Sequence, residues 1–414
     1  MIADSRARQH GADAGAHALV HDVLIVGGGV AGLSLAWRLA GALRCVLVEA
    51  EAQPGYHASG RSAAMFMETY GTPTIQALTR AGRAFFTAPP AGFTDAPLLA
   101  ARGVLYLVRE DQRRLRDETL ARLQAVNAPF RECDAEAVCA RVPCIRRDGL
   151  VGAIEEPDAS DVDVHALLQG FLRGVRAQAQ TQSQSTLRFG VKVVSAQRVQ
   201  GVWQVALSDG TTVCARRVVN AAGAWAQELA CLFGGVDAGL QPMRRSAFTF
   251  PPEREGRDPP LAAHAIRDWP AVVGIDESFY FKPDAGQLLG SPANADPVAP
   301  HDVVAEELDV ALGIARIAQA TDLRIRRPRH TWAGLRTFAR DGEFVIGPDP
   351  HSAGFFWLAG QGGYGIQTAA GASLLARNLL LDEALDDSLI VQGVDPERVS
   401  PARFSSARVT GTVS

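Results

Sequence analysis

A glycine-rich turn, Gly27–Gly32 with the sequence GGGVAG, is the first part of the chain whose residue types and spacing point to chemistry. In such a turn Gly27 permits the sharp bend, Gly29 lets a pyrophosphate approach the backbone, and Gly32 lets a helix pack closely on a strand. Free N–H groups at the start of that helix attract phosphate. Glu49 follows at the end of the next apolar run, where its carboxylate can accept a hydrogen bond from a ribose 2′-hydroxyl and repels a 2′-phosphate. The spacing predicts a bound dinucleotide.

A second glycine-rich turn, near the end of the chain, distinguishes between two dinucleotides. The first turn alone is as compatible with NAD as with FAD. The apolar run 355–360 leads into Gln361–Gly365 (QGGYG), whereas nicotinamide enzymes usually continue with consecutive βαβ units. A flavin ring needs backbone donors and close packing far from its adenosine. The second turn therefore favours FAD.

Alternating strands and helices must position these turns. His21–Val26 predicts a buried parallel strand, Leu33–Leu43 has the apolar spacing of a helix, and Cys45–Val48 predicts the next strand. A further strand is predicted at Val213–Gly223, and an Ala-rich helix after the second turn. This order indicates an α/β fold.

Other segments are predicted to lie outside that unit. Thr72–Phe86 is predicted to be a helix that ends before Pro89, and the charged stretch 109–126 a solvent-exposed helix. Gln241–Phe250 predicts a strand, and Ser278–Ser291 a hairpin with its turn at Pro283–Gly286.

Composition limits the classes of function. The chain has 414 residues, is 47% hydrophobic and 21% charged, and carries a net charge of -4, so two packed domains are expected and a nucleic-acid partner is not. No apolar run of about 18 residues predicts a transmembrane segment, and the polar first twenty residues predict a flexible extension, not a signal peptide. We expect a cytoplasmic protein, with peripheral contact at the inner membrane left open. The six cysteines have no zinc, redox or disulfide spacing, which predicts reduced thiols and no metal site: Cys45, Cys133, Cys139, Cys144, Cys214 and Cys231.

Ten motifs between residues 21 and 404 resemble the D-amino-acid oxidase family of flavoproteins and, within it, the branch of bacterial D-arginine dehydrogenases. They are GGGVAG, QPGYHASGRSAAM, TYGTP, NAAGAW, LQPMRRSAF, DESFYFKPD, LLGSPANADP, TWAGLRTF, QGGYGIQT and SPARF. The resemblance implies a Rossmann-like FAD-binding domain of discontinuous segments and a β-rich (α+β) substrate-binding domain. The implied boundaries are 21–85, 150–238 and 333–404 for the first, 86–149 and 239–332 for the second, with an N-terminal extension at 1–20 and a C-terminal tail at 405–414.

The same resemblance implies non-covalent FAD and names the residues that contact it. These are Gly27, Gly29, Ala31, Gly32, Glu49, Ala50, Ala58, Ser59, Gly60, Arg61, Ser62, Ala63, Ala64, Met65, Val193, Gly223, Gly362, Gly363, Tyr364, Gly365, Ile366 and Gln367.

An amino-acid substrate presents a carboxylate, for which arginine offers a planar, bidentate partner. Arg336 and Arg245 match the family's two carboxylate-binding arginines, with Arg245 favoured over its neighbour Arg244. Tyr70 and Tyr280 match the tyrosines that hold the same end of the substrate and close the site. The amine is expected to meet the backbone carbonyls of Met65 and Gly363.

Two substitutions set the chain apart from the D-arginine dehydrogenases. Val104 aligns with the acidic residue that holds the substrate guanidinium, and Met65 with a histidine. A buried, unpaired guanidinium costs several kcal/mol, so apolar or neutral D-amino acids are expected to be preferred over D-Arg and D-Lys. A shift of this alignment would bring Glu68 or Glu110 into the site instead.

The predicted function is an FAD-dependent D-amino-acid dehydrogenase. It would deaminate its substrate to a 2-oxo acid and ammonia by hydride transfer from Cα to flavin N5, and D over L rests on the resemblance alone. The alternatives are an oxidase that uses O2, a dehydrogenase of N-alkyl amino acids or 2-hydroxy acids, and a non-catalytic flavin-binding protein. The electron acceptor is left open among a quinone, a dye-like carrier and O2.

Overall fold

The structure is a computed structural model that describes residues 19–125, 129–181, 186–257 and 261–405. The predicted N-terminal extension and C-terminal tail lie outside these ranges, apart from Leu19, Val20 and Ser405. The strands, numbered in chain order, are Val20–Val26 (β1), Cys45–Glu49 (β2), Met65–Phe66 (β3), Leu99–Ala101 (β4), Val104–Arg109 (β5), Arg131–Asp134 (β6), Leu150–Glu156 (β7), Ser160–Val162 (β8), Thr186–Phe189 (β9), Val193–Val199 (β10), Val202–Leu207 (β11), Thr212–Asn220 (β12), Gln241–Phe250 (β13), Ala271–Gly274 (β14), Tyr280–Asp284 (β15), Gln287–Ser291 (β16), Asp296–Pro297 (β17), His330–Phe338 (β18), Val345–Pro348 (β19) and Phe355–Ala359 (β20).

Eleven α-helices accompany these strands within the described ranges. They are Val30–Leu39 (α1), Pro73–Thr87 (α2), Arg113–Ala125 (α3), Ala135–Arg141 (α4), Val164–Thr181 (α5), Ala226–Phe233 (α6), Ala263–Ile266 (α7), Glu307–Ala320 (α8), Ala369–Leu381 (α9), Asp387–Val391 (α10) and Pro396–Val399 (α11). Short 3₁₀ turns lie at Glu110–Gln112, Gly223–Trp225 and Pro401–Phe404.

An eight-stranded sheet carries the predicted α/β unit, with β1 between β2 and β12. The pairs β1–β2, β1–β12, β2–β9 and β12–β20 are parallel. Val23 and Ile25 pack into the core on the helical face, where α1 lies against α5 and α9, and Leu24 and Val26 pack into the core on the other face. Because both faces are covered, the strand has a continuous apolar sequence instead of an alternating one.

The second large sheet has nine strands. Eight of them follow the order β17-β13-β16-β15-β14-β5-β7-β6, and β18 pairs with β13. It contains the predicted strand at Gln241–Phe250 and the predicted hairpin, as β15 and β16. Strands β7 and β18 also belong to it, although the predicted boundaries at 150 and 333 assign β7 and most of β18 to the other domain. These two strands are joined by hydrogen bonds to β5 and β13, and such long-range pairing has no signal in the local sequence.

Three predicted helices differ from the structure at their ends. The first begins at Val30 instead of Leu33 and ends at Leu39, because the glycine turn itself runs into the helix. The charged stretch begins with a 3₁₀ turn before α3, and only Leu123 of α3 is buried, as a solvent-exposed helix requires. The helix after the second glycine turn begins only at Ala369, since residues 363–368 form turns.

Candidate active site

A cavity of about 680 Å³ lies at the carboxyl ends of β1, β2 and β12. Its opposite wall is formed by Gly334–Thr337 of β18 and by Arg245 and Ala247 of β13. Ligands of open α/β sheets bind outside the carboxyl ends of the strands, so this position is the one that a dinucleotide requires.

The glycine turn closes one end of this cavity in a form that only glycine allows. A Cβ on Gly27, whose φ is +114°, would lie 2.2 Å from the carbonyl oxygen of Ala221, and one on Gly32 would lie 1.9 Å from the carbonyl oxygen of Gly27. Helix α1 begins at Val30 without a side-chain cap on Gly29, and the Val30 N–H donates to Ser59 Oγ at 3.0 Å. Ser59 thus caps the Val30 N–H, and the start of α1, at Val30 and Ala31, lines the cavity.

Glu49 lies at the end of β2, where the sequence predicts a ribose ligand. Its Oε2 accepts from the Gly28 N–H at 2.5 Å and its Oε1 from the Glu51 N–H at 2.9 Å. These two bonds fix the carboxylate beside the glycine turn, with the residue lining the cavity. The turn, the helix end and the carboxylate together fit the adenosine diphosphate half of FAD.

Most residues predicted to contact the cofactor line this cavity. They are Gly27, Gly29, Ala31, Glu49, Ala50, Ala58, Ser59, Arg61, Ser62, Ala63, Val193, Gly223, Gly362, Gly363, Gly365 and Ile366.

Six of the predicted cofactor residues lie elsewhere. Gly32 and Gly60 are packed against backbone, the latter with its Cβ position 2.5 Å from the Gly55 carbonyl oxygen. Ala64, Met65 and Gln367 line a smaller neighbouring cavity, and Tyr364 packs its ring 4.8 Å from that of Tyr70.

An aromatic group at the side of the large cavity was not among the predicted residues. Tyr56, His57 and Trp225 line it, with ring centroids 4.9 Å apart for the first pair and 4.7 Å for His57 and Trp225. The motifs QPGYHASG and NAAGAW contain all three residues, so the signal was present in the sequence.

The smaller cavity, of about 100 Å³, adjoins the large one, and the two share Arg245, Tyr280, Arg336 and Gly363. Tyr70 also lines it. The structure therefore brings together the two arginines and two tyrosines that the sequence selected, although they come from distant parts of the chain.

Arg245 and Arg336 form a cationic pair at the junction of the cavities. Both are half-buried, and no acidic side chain within the described ranges forms an ion pair with either of them. Burial and the charge of Arg336 lower the pKa of Arg245 to about 10. Burial alone would lower the pKa of Arg336, but Tyr70 and Tyr280 outweigh that effect and the pKa lies above its ordinary value. Both guanidiniums are thus charged at neutral pH, and together they favour a bound anion.

Arg244 faces the other side of the strand. Its Nε donates to Asp309 at 3.0 Å, and it also pairs with Glu306 and Asp296. This network leaves Arg245 as the arginine of β13 that reaches the cavities. The Arg245 Nε donates to the Asn294 carbonyl oxygen at 2.5 Å, which orients its side chain.

Gly363 lies directly against the side chain of Arg336, in the cationic pair. A Cβ at this position would lie 2.8 Å from Arg336 Nη1, so any larger residue would displace the guanidinium. The backbone bridge between Gly362 and Thr337 holds the second glycine turn against β18.

The loop that carries Tyr70 is fixed by buried side chains. Gln76 Nε2 donates to the carbonyl oxygens of Thr69 and Gly71, at 3.0 Å each. Gln367 Nε2 donates to the Met67 carbonyl oxygen at 3.2 Å. The tyrosine is therefore preorganised at the cavity.

The remaining wall of the small cavity is mostly apolar. Of the residues that form it, the sequence predicted only Met65. The wall consists of Met65, Met67, Tyr106, Ala271, Val273, Glu277, Lys282 and Ala293. Lys282 is paired with Asp161 at 2.7 Å, whereas Glu277 is exposed.

Val104 does not line the cavity, contrary to the prediction. Its side chain is fully buried and packs behind the wall against Met67 and Ala271. The lining residue of the same strand is Tyr106, which lies two positions further along on the same face. The alternative acids are also elsewhere, since Glu68 pairs with Arg83 at 2.5 Å and Glu110 with Arg113 at 2.9 Å.

Two negative results apply to the described part of the chain. No helix there is both long and apolar enough to cross a membrane. No group of histidine, cysteine and acidic side chains there could hold a metal ion.

Comparison with known proteins identifies the family. The sequence profile described as "DAO: FAD dependent oxidoreductase" matches residues 22–378. The chain is 26% identical to the tRNA 5-methylaminomethyl-2-thiouridine biosynthesis bifunctional protein MnmC of Burkholderia vietnamiensis, in an alignment that covers 95% of this chain and 62% of that protein. The chain thus spans less than two thirds of that relative.

Solved structures have the same fold. Glycine oxidase from Geobacillus kaustophilus superposes with a TM-score of 0.74 at 20% identity, covering 91% of this chain and 98% of that one. L-Amino acid deaminase from Proteus vulgaris does so with a TM-score of 0.74 at 16% identity, covering 94% and 98%. The predicted fold and the FAD cofactor are confirmed, and the finer resemblance to D-arginine dehydrogenases stays a prediction.

Proposed function

Because the chain belongs to the DAO family of FAD-dependent oxidoreductases, we propose that it dehydrogenates D-amino acids with small apolar or neutral side chains. The products would be a 2-oxo acid and ammonia, after hydrolysis of the imine. When bound, FAD supplies the acceptor for the hydride removed from the substrate. The chain's own residues bind and orient that substrate.

The cationic pair Arg245 and Arg336 carries the proposal. Two guanidiniums that have no acidic partner among the described residues, beside Tyr70 and Tyr280, form a receptor for a carboxylate in a cavity of about 100 Å³. A protein that only carried a flavin would have no need of these charges. Held by its carboxylate, the substrate places its amine toward the carbonyls of Met65 and Gly363, and positioning of this kind accounts for a large part of catalysis.

The wall of the small cavity supports the preference for the side chain. Met65, Met67, Ala271 and Val273 offer flexible and apolar contacts, and Asp161 already neutralises Lys282. A long cationic side chain would lose its hydration here, and Glu277, an acid that lines the cavity, is exposed and therefore a weak partner. D-Arg and D-Lys are therefore expected to be poorer substrates than D-Ala or D-Val.

Anaerobic bleaching of the flavin tests the proposal. The holoprotein is mixed with a panel of D- and L-amino acids, N-methyl amino acids and 2-hydroxy acids, all of which share the carboxylate. Small neutral D-amino acids should bleach fastest. Bleaching by D-Arg above all others, or by 2-hydroxy acids alone, would overturn the assignment. Comparing peroxide formation with dye reduction then separates an oxidase from a dehydrogenase.

A further inference from the structure

Glu156, at the end of β7, is a buried acid behind the small cavity that substrate binding does not use. The residue is 2% exposed. Its Oε1 accepts from the Glu68 N–H at 2.6 Å, and the Thr69 hydroxyl donates to its Oε2. No arginine or lysine of the described residues pairs with it, and burial raises the pKa of this carboxyl to about 7. The group can therefore change protonation state near neutral pH.

Tyr106 connects this acid with the cavity. It lies on β5, which pairs with β7, and it lines the cavity wall. Glu156 lies opposite Val104, two residues before Tyr106, so the side chains of Glu156 and Tyr106 are diagonal neighbours on one face of the sheet. Burial and the charge of Glu156 outweigh the opposite effect of Thr69 and hold the pKa of Tyr106 well above its ordinary value, so the phenol keeps its proton. The order from the cavity inward is Tyr106, Thr69, Glu156.

An amino-acid substrate needs such a path. It arrives with a protonated amine, and hydride can leave Cα only after nitrogen has regained its lone pair. The charges of Arg245 and Arg336 favour loss of the ammonium proton, but arginine cannot accept it.

We propose that Glu156 receives the substrate's ammonium proton through Tyr106 and Thr69. The ammonium N–H bond breaks as an O–H bond forms at Tyr106, whose own proton passes to Thr69, whose proton passes to Glu156. Ammonium and carboxylate become amine and carboxylic acid, and no electrons are transferred. The proton returns by the reverse order to water in the cavity after the product leaves. This relay rests on the proposed function, since it requires an amine substrate.

Other charged groups around Glu156 are already paired. Glu68 is held by Arg83 at 2.5 Å, and Asp161 by Arg102 at 2.7 Å. The adjacent Glu155 pairs with Arg131 at 2.8 Å and with Arg141. Glu277 is the rival proton acceptor, because it lines the same cavity and is exposed.

The first test is the pH dependence of flavin reduction by the best substrate. In E156Q and T69V the rate near pH 7 should fall about 100-fold, the lower end of the usual range for acid–base catalysis. It should approach that of the wild type at about pH 9, above the ordinary pKa of an α-amino group and below that of Arg245. T69S, which keeps the hydroxyl, should resemble the wild type. A loss that is equal at every pH, or an acid limb that disappears in E277Q instead, would overturn the relay.

The second test needs no turnover and therefore separates the relay from the proposed function. 2-Aminoisobutyrate has a carboxylate and an amine but no Cα–H. Its binding to the holoprotein at pH 8 should produce the infrared C=O band of a protonated carboxyl, which E156Q and Y106F should lack and E277Q should keep. Absence of the band in the wild type would overturn the relay. Its presence in a protein whose flavin no amino acid bleaches would overturn only the proposed function.

Discussion

Arg245 and Arg336 are diagonal neighbours on the same face of two antiparallel strands. Arg245 of β13 lies opposite Gly334 of β18, and Arg336 opposite Met243. Because side chains alternate along a strand, this register sends both guanidiniums to one side and Arg244 to the other. The cationic pair therefore depends on strand register as much as on residue type.

Replacing Arg336 with lysine tests the cationic pair as a binding site for the substrate carboxylate. Lysine keeps the charge but loses the planar fork, so kcat/KM for the best substrate should fall about 10- to 100-fold, mainly through KM, which corresponds to about 1.4 to 2.8 kcal/mol. R244K is the matched control on the other face, where Arg244 pairs with Asp309. It should lower the melting temperature and leave KM unchanged. Equal changes in KM for the two variants, measured by steady-state kinetics, would contradict the assignment.

Val104 and Val273 offer a test of where the substrate side chain lies. Val104 is fully buried, whereas Val273 lines the small cavity. V104E should destabilise the protein, because a buried carboxylate without a partner is costly, and it should not improve D-Arg oxidation. V273E should raise the ratio of kcat/KM for D-Arg over D-Val at least about 10-fold, since its acid can meet the guanidinium. A gain for D-Arg in V104E instead would restore the alignment-based prediction.

The sequence predicted best what depends on local pattern. Residues close together in the chain were enough to predict three features. These are the steric need for glycine at Gly27 and Gly32, the apolar run of β1 and the position of Glu49. The arginines and tyrosines of the site were found through motifs and lie together in the structure.

The rest of the small cavity could not be predicted in this way. Ala271 and Val273 reach it because β14 pairs in parallel with β5, more than 160 residues earlier in the chain. Glu156 reaches it through Thr69, which lies on a distant loop. Neither pairing has a local signature, and misplacing Val104 by two residues along β5 was enough to miss Tyr106.

The pair Lys282 and Asp161 predicts an asymmetric effect on stability. Lys282 is 7% exposed and lies 2.7 Å from Asp161, which also pairs with Arg102. D161N leaves a buried ammonium unpaired and should cost about 3 kcal/mol of the free energy of unfolding. K282M leaves Asp161 its arginine and should cost clearly less. Urea unfolding of the two holoproteins measures both, and equal losses would contradict this account of the pair.

Two glycines of the first turn should separate folding from cofactor binding. A Cβ on Gly32 would lie 1.9 Å from backbone, whereas one on Gly29 would lie 3.3 Å from Ser59 Oγ, which can adjust. G32A should therefore unfold the α/β unit or leave it insoluble. G29A should fold but lose FAD, because its methyl group occupies the approach of the pyrophosphate. Circular dichroism and the flavin-to-protein ratio measure the two effects, and full flavin content in G29A would contradict the second.

Glu156 should also make stability depend on pH. Burial raises the pKa of its carboxyl from 4.5 to about 7, so the folded protein holds this proton over a range in which the unfolded chain has lost it. The stabilisation is complete below about pH 4.5 and is lost as the pH rises through about 7, a difference of roughly 3 kcal/mol. E156Q does not titrate at this position. Its melting temperature relative to the wild type should therefore increase from pH 5 to pH 8 and then level off. A constant difference across this range would show that Glu156 does not titrate there, and it would also remove the acceptor on which the proton relay depends.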